Sequence, residues 1–256
     1  MNGTLAPEVL VLGGTGAVGQ GIVAALLEAG SPVLVAGRDP GRLAALHACF
    51  ADEPALTSLL GSVADDESAK TLADRVSARP RPLGAVIAAL GGPTARGRVL
   101  DRPGEALLQT LQLDLMPHVH AVRHLLPLLQ DHPHPRRFVM IGSPAGVKPW
   151  AAHGDSSVSA AALRMYAQVV HQEAQAIGVR AQMLEVGDPV CTPFNAANAC
   201  SEWPSALMVG RRVVSLLDQC NDNRAIVRCD HRDAQLPRGL LNLDGPLQWR
   251  DACGSA

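Results

Sequence analysis

Short apolar runs alternate along this chain with longer segments whose apolar positions recur every three or four residues. The first pattern is that of a strand buried on both faces, the second that of an amphipathic helix. Residues 9–13 read as a strand and 18–29 as a helix stopped by Gly30. A second strand at 32–36 and a helix from Pro40 to His47 follow, then a short apolar run at 56–60 that predicts a third strand and a helix over 66–77. Leu83 to Leu90 predicts a fourth strand, closed by the turn Gly91-Gly92-Pro93. A long helical stretch runs from Pro103 to Asp131, with Pro117 and Pro127 as kinks or breaks. Residues 137–142 predict a fifth strand, and 156–177 an alanine-rich helix ended by Gly178. A sixth strand at 179–186 and a helix over 204–217 complete the regular pattern. Either 225–228 or 240–243 could supply a seventh strand.

Alternating βα units with near-continuous apolar strands imply a parallel sheet with helices on both faces and right-handed crossovers. The expectation is an α/β fold, a Rossmann-type doubly wound sheet of about seven strands. No linker, repeat or low-complexity segment interrupts it, so residues 1–256 are expected to form a single domain.

The chemistry concentrates in the first turn. Val9 to Leu12 breaks into Gly13-Gly14-Thr15-Gly16-Ala17-Val18-Gly19, and a helix opens at once. Glycines three apart let the backbone approach a pyrophosphate, and the helix N-terminus offers free N–H groups and positive potential. Alone the spacing is a weak signal. Its place between a strand and a helix, with a second strand at βαβ distance, points to a dinucleotide site, present or ancestral, over a purely structural turn. Gly37-Arg38 ends the second strand, where an NAD-preferring fold carries an acid for the ribose 2′-hydroxyl. An arginine there can pair with a 2′-phosphate, so NADP(H) is expected over NAD(H), unless Arg38 is simply a solvated loop residue.

Composition mostly excludes. A net charge of −2 gives no basic field for nucleic acid. No apolar run is long enough to span a bilayer, and Met1-Asn2-Gly3-Thr4 does not open a signal peptide, so the chain is expected to be cytoplasmic. Six cysteines without Cys-x-x-Cys spacing read as reduced thiols. His118 and His120 lie two apart, as do His132 and His134, neither at the spacing of a metal-binding helix face, so no metal is expected.

From here the chain resembles the short-chain dehydrogenase/reductase family over nearly its whole length. The landmarks fall in family order: the glycine turn, Ala36-Gly37-Arg38-Asp39, Leu113-Asp114-Leu115, Ile141-Gly142-Ser143-Pro144-Ala145-Gly146 and Val186-Gly187-Asp188-Pro189. The resemblance implies cofactor contacts from Gly13, Thr15, Gly16, Val18, Gly19, Arg38, Val63, Leu90, Gly91, Gly187 and Thr192. It implies a substrate lid around 190–205 containing Phe194 and Trp203, and homodimers or homotetramers paired through the two long helices.

The same resemblance exposes departures. Family chemistry uses a serine that polarises the substrate carbonyl, a tyrosine that exchanges a proton, and a lysine that lowers the tyrosine pKa. Ser143 fills the serine position, but Ser156 stands in the tyrosine slot and Ala160 in the lysine slot. Tyr166 is the only tyrosine, ten residues beyond Ser156 and turned to another helix face, so it reads as a packing residue. Asp114 replaces an asparagine that holds a relay water, Ala88-Ala89-Leu90-Gly91 replaces Asn-Asn-Ala-Gly, and Ser62 lies near the usual adenine-contacting aspartate. His153, in the loop before Ser156, could act as acid or base near neutral pH, but reads first as a solvated loop residue. Arg164, one turn beyond Ala160, could approach the vacated lysine position or face a partner subunit.

Three functions stay open at this stage. The chain is an NADP(H)-dependent oxidoreductase with a non-standard site, a non-catalytic cofactor sensor or partner subunit, or a non-redox biosynthetic enzyme on the same fold.

Overall fold

The computed structural model describes residues 6–51, 53–92, 96–130, 136–192, 195–219 and 222–229. Seven strands, β1 (Glu8–Leu12), β2 (Val33–Gly37), β3 (Leu56–Leu60), β4 (Leu83–Ala88), β5 (Arg136–Gly142), β6 (Val179–Val186) and β7 (Ile226–Cys229), form one sheet in the order β3-β2-β1-β4-β5-β6-β7. Every neighbouring pair is parallel. The order reverses between β1 and β4, so the crevice for a ligand opens beyond their C-terminal ends.

Among the described residues, seven helices cover the sheet: α1 (Ala17–Glu28), α2 (Pro40–Cys49), α3 (Asp66–Ser77), α4 (Gly104–Asp114), α5 (Met116–Leu125), α6 (Gly154–Gln175) and α7 (Ala206–Asp218). Strand alternation sorts them. Leu10, Leu12, Phe138 and Met140 pack with α3, α5 and α6, whereas Val9, Val11 and Val139 pack with α1, α2 and α7. With so few aromatics, Phe138 is the only fully buried phenylalanine among the described residues, and aliphatic side chains fill most of the core.

Local chemistry sets the helix starts. Asp39 accepts hydrogen bonds from Gly41 and Arg42 N–H at the start of α2, Asp65 from Ser68 at the start of α3, and Ser205 from Met208 at the start of α7. The long helix expected over 103–131 is broken into α4, α5 and a 3-10 turn at Leu126–Leu129. Pro117 has no N–H and crowds the carbonyl four residues back, so α4 ends at Asp114 and α5 restarts at Met116. The seventh strand is supplied by the 225–228 candidate; residues 240–243 lie outside the described residues, as do Phe194 and the histidines at 132 and 134.

Candidate functional site

The glycine turn sits at the switch point, between β1 and α1. Gly13 has φ +74°, and a methyl group there would lie 2.1 Å from the Ala89 carbonyl oxygen. A methyl on Gly19 would lie 2.1 Å from the Gly13 carbonyl oxygen. Only glycine lets the turn fold onto itself and onto the loop after β4. α1 begins at Gly16 with no side-chain cap, unlike α2, α3 and α7. Its first-turn N–H groups are left for water or a ligand. Thr15, Gly16 and Val18 are partly exposed around this opening, and Gly91 has open space about it. The shape suits a dinucleotide pyrophosphate.

Arg38 is exposed just past β2. Asp39 beside it is engaged by the N–H groups of α2, at 2.8 and 3.1 Å. Sequence reasoning missed Arg42, whose Nη2 donates to the Thr15 carbonyl at 3.0 Å and so lays a second guanidinium across the gap between β1 and β2. Val63 is buried in the core, Leu90 is half-buried, and Gly187 is exposed beyond β6. The Thr192 hydroxyl and N–H both meet Asn195 Oδ1, at 3.1 and 2.7 Å, which stiffens the start of the 190–205 segment. The Cys191 N–H donates to the Pro204 carbonyl at 2.8 Å and ties the base of that segment together.

At the family's catalytic end, Ser143 is exposed at the end of β5 and its Oγ accepts the Ala145 N–H at 3.2 Å. The turn it caps packs on α6 at the Ala160 peptide; a methyl on Gly146 would lie 2.8 Å from the Ala160 oxygen. Ser143 and the Ser156–Ala160 turn therefore border one another. Asp114 accepts the Gly92 N–H at 2.7 Å, and burial raises its pKa above the ordinary carboxylate value. Tyr166 is half-buried against the core, and burial, with Glu173 second, pushes its hydroxyl up to about 12, so it stays protonated at neutral pH.

His153 differs from a solvated loop residue. It is partly buried, its ring meets Trp150 edge-on at 6.4 Å, and its Nδ1 is buried without a partner. Ala152 before it has φ +63°, strained for a residue with a side chain. The loop is held by the Gly97 N–H on the Ala152 carbonyl at 2.8 Å and by Arg102 against the buried Asp155. Those two charges lie 2.7 Å apart without hydrogen-bond alignment, so their attraction is Coulombic. Arg164 is engaged within the chain. It pairs at 2.6 Å with Glu185, a buried acid on β6 that also lies 3.4 Å from Arg228.

The sequence also hid a histidine pair at helical i, i+4 spacing, His120 and His124. They do not converge. His120 turns to the Val63 carbonyl and His124 to Asp66. Among the described residues no three His, Cys, Asp or Glu side chains gather to hold a metal, and no helix is long and apolar enough to cross a membrane.

The family model for short chain dehydrogenase matches residues 7–201. The chain belongs to the short-chain dehydrogenase family. Solved structures of similar fold include a short-chain type dehydrogenase/reductase from Mycobacterium ulcerans, 22% identical over 90% of this chain and 91% of that one, with a TM-score of 0.75. An NADP active-site complex of RhlG from Pseudomonas aeruginosa is 20% identical over 90% and 98%, with a TM-score of 0.76. A gluconate 5-dehydrogenase from Burkholderia cenocepacia, in complex with NADP and tartrate, is 16% identical over 89% and 94%, with a TM-score of 0.77. No curated protein matches the sequence.

Proposed function

We propose that this short-chain dehydrogenase is an NADP(H)-binding oxidoreductase with a non-standard active site. The carrying observation is the uncapped, glycine-lined opening of α1 beside two arginines and no free acid. Asp39, the one acid at the end of β2, is spent on the N-terminus of α2, which leaves Arg38 and Arg42 to meet a 2′-phosphate. Gly13, Thr15, Gly16, Val18 and Gly19 would hold the pyrophosphate, and backbone from Val63, Leu90, Gly91, Gly187 and Thr192 the remainder. When bound, NADP(H) supplies or accepts the hydride. Ser143 would donate to the substrate oxygen, with Asp114 and His153 as the titratable groups on that side, and the 190–205 segment would cover the substrate. The reading includes a cytoplasmic location, a single domain, and pairing of copies through α4 and α6.

NADPH at a hundredfold excess over its Kd should stabilise the fold by about 2.7 kcal/mol and raise the melting temperature, well above the effect of NADH at the same concentration. Charge-assisted hydrogen bonds set the size of the mutational effect. Arg38→Ala and Arg42→Ala should each weaken NADPH binding about tenfold or more and leave NADH binding nearly unchanged. Equal losses for both dinucleotides would remove the 2′-phosphate assignment.

Ser156 and Ala160 favour a second reading, a cofactor-binding partner or sensor without turnover. NADPH oxidation over a panel of ketones and aldehydes separates the two. Turnover lost in Ser143→Ala supports the oxidoreductase, whereas tight binding without turnover on any substrate supports the second reading.

A further inference from the structure

The run from Asp114 to His124 carries polar side chains where a helix lodged against a sheet would ordinarily bury apolar ones. Asp114 Oδ1 accepts the Gly92 N–H at 2.7 Å, and one turn on His118 Nε2 lies 3.4 Å from the Leu90 carbonyl. His120 Nδ1 lies 3.2 Å from the Val63 carbonyl, and one turn on His124 Nε2 lies 2.9 Å from Asp66 Oδ1. Asp114, which ends α4, and His118 on α5 form one row of contacts; His120 and His124, one turn apart on α5, form another, with His120 about 160° around α5 from His118. The first row meets the loop after β4, and the second meets the loop after β3 and the first turn of α3. The loop after β4 in turn rests on the glycine turn, where Ala89 faces Gly13.

Both carbonyls lie just past the ends of their strands, outside the sheet's ladder, and need donors from elsewhere. His118 is fully buried and its pKa is lowered to about 4 by that burial, so the ring is neutral and carries one N–H. The contact with Leu90 puts that proton on Nε2 and leaves Nδ1 a buried acceptor without a partner. His120 faces Asp65 and Asp66 of α3 as well as Val63, and Nδ1 donates whether its ring is charged or neutral.

We propose that His118 and His120 are positioning residues of the nucleotide site, holding the carbonyls of Leu90 and Val63 so that α5 fixes two of the loops on which the dinucleotide rests. This builds on the cofactor reading above. The two rings use different nitrogens, and the difference makes the role testable. An asparagine amide mimics a donor at Nδ1, and a glutamine amide mimics one at Nε2. His120→Asn and His118→Gln should therefore preserve the loops, while His120→Leu and His118→Leu should release them.

The first measurement is hydrogen exchange of the cofactor-free protein. In each leucine variant the amides of 61–64 or of 90–92, respectively, should exchange faster, with the rest of the sheet unchanged. The second is the Kd for NADPH, which should rise about fivefold per leucine variant, the effect of one neutral hydrogen bond, and recover in the matched amide variant. Unchanged exchange in the two loops overturns the inference. So does recovery by the mismatched amides, His120→Gln and His118→Asn, as fully as by the matched pair. A wild-type protein that binds neither NADPH nor NADH overturns the cofactor reading, while the exchange measurement still decides whether the histidines position the loops.

Discussion

At the scale of single residues, titration follows burial. His118 is wholly enclosed, and its pKa falls from 6.5 to about 4 because the charged ring loses its hydration. The folded chain then resists a proton that the unfolded chain accepts. Stability is fully present above pH 6.5, falls as pH drops towards 4, and levels below that. The difference corresponds to about 3 kcal/mol across this window, as an order of magnitude. Urea denaturation of the wild type and of His118→Gln from pH 7.5 to 4.5 should show a shallower acid limb in the variant, by up to one proton. Parallel limbs would mean that the ring is hydrated or charged in the native protein. Spacing along the chain made the glycine turn between β1 and α1, and Arg38 just past β2, legible in the sequence. It did not reveal Arg42 on Thr15, Arg164 on Glu185 or His120 on Val63, separated by 27, 21 and 57 residues. Such contacts depend on which helix faces which strand, and no local pattern encodes that.

Among elements, those with local stop signals were read most closely. α3 spans Asp66–Ser77 as expected, because Asp65 caps it and Asp66 and Glu67 suit its first turn. β6 spans Val179–Val186 as expected, following Gly178 at φ +70°. The break at Leu115 was placed instead at the prolines, since a sequence shows which residue disrupts a helix but not where the chain yields. The contact of α1 with α7 was also invisible. Gly21 and Gly210 meet there: a methyl on Gly21 would lie 2.2 Å from the Ala206 carbonyl carbon, and one on Gly210 2.2 Å from the Gly21 oxygen. Because backbone opposes each methyl, neither clash is relieved by a side-chain rotation. Gly210→Ala should raise helix propensity yet lower stability, by about 1–3 kcal/mol, because overpacking outweighs the propensity gain. A lower urea midpoint with an unchanged m-value is the expected result, and a raised midpoint would show that the two helices can separate at little cost.

At the scale of the whole molecule, the exposed apolar surface bears on whether copies of the chain pair. α4 and α6 pack side by side on one face of the sheet, and both carry large apolar side chains outward. Leu108 is 60% exposed, as is Met165, with Val158 at 48% and Val169 at 45%. Val158, Met165 and Val169 recur at helical spacing along the side of α6 that faces away from the sheet, with the small, exposed Ala161 between them. An exposed apolar stripe such as that along α6 is uncommon on a monomer, and a self-complementary patch is the ordinary basis of a twofold dimer. The small side chain at 161 would let two helices approach closely, and burial of about 800 Å² on each copy would suffice for a stable pair. Wild-type protein should therefore sediment as two or four copies at micromolar concentration. Met165→Glu combined with Leu108→Glu places charge in the centre of that surface, where desolvation is costly, and should give a monomer that keeps its fold and its circular dichroism. Two controls fix the interpretation. Lys70→Gln on α3 removes an exposed charge away from α4 and α6 and should leave the mass unchanged. A wild type that sediments as one copy would mean that α4 and α6 do not pair copies of this chain, and that the exposed side chains remain in water.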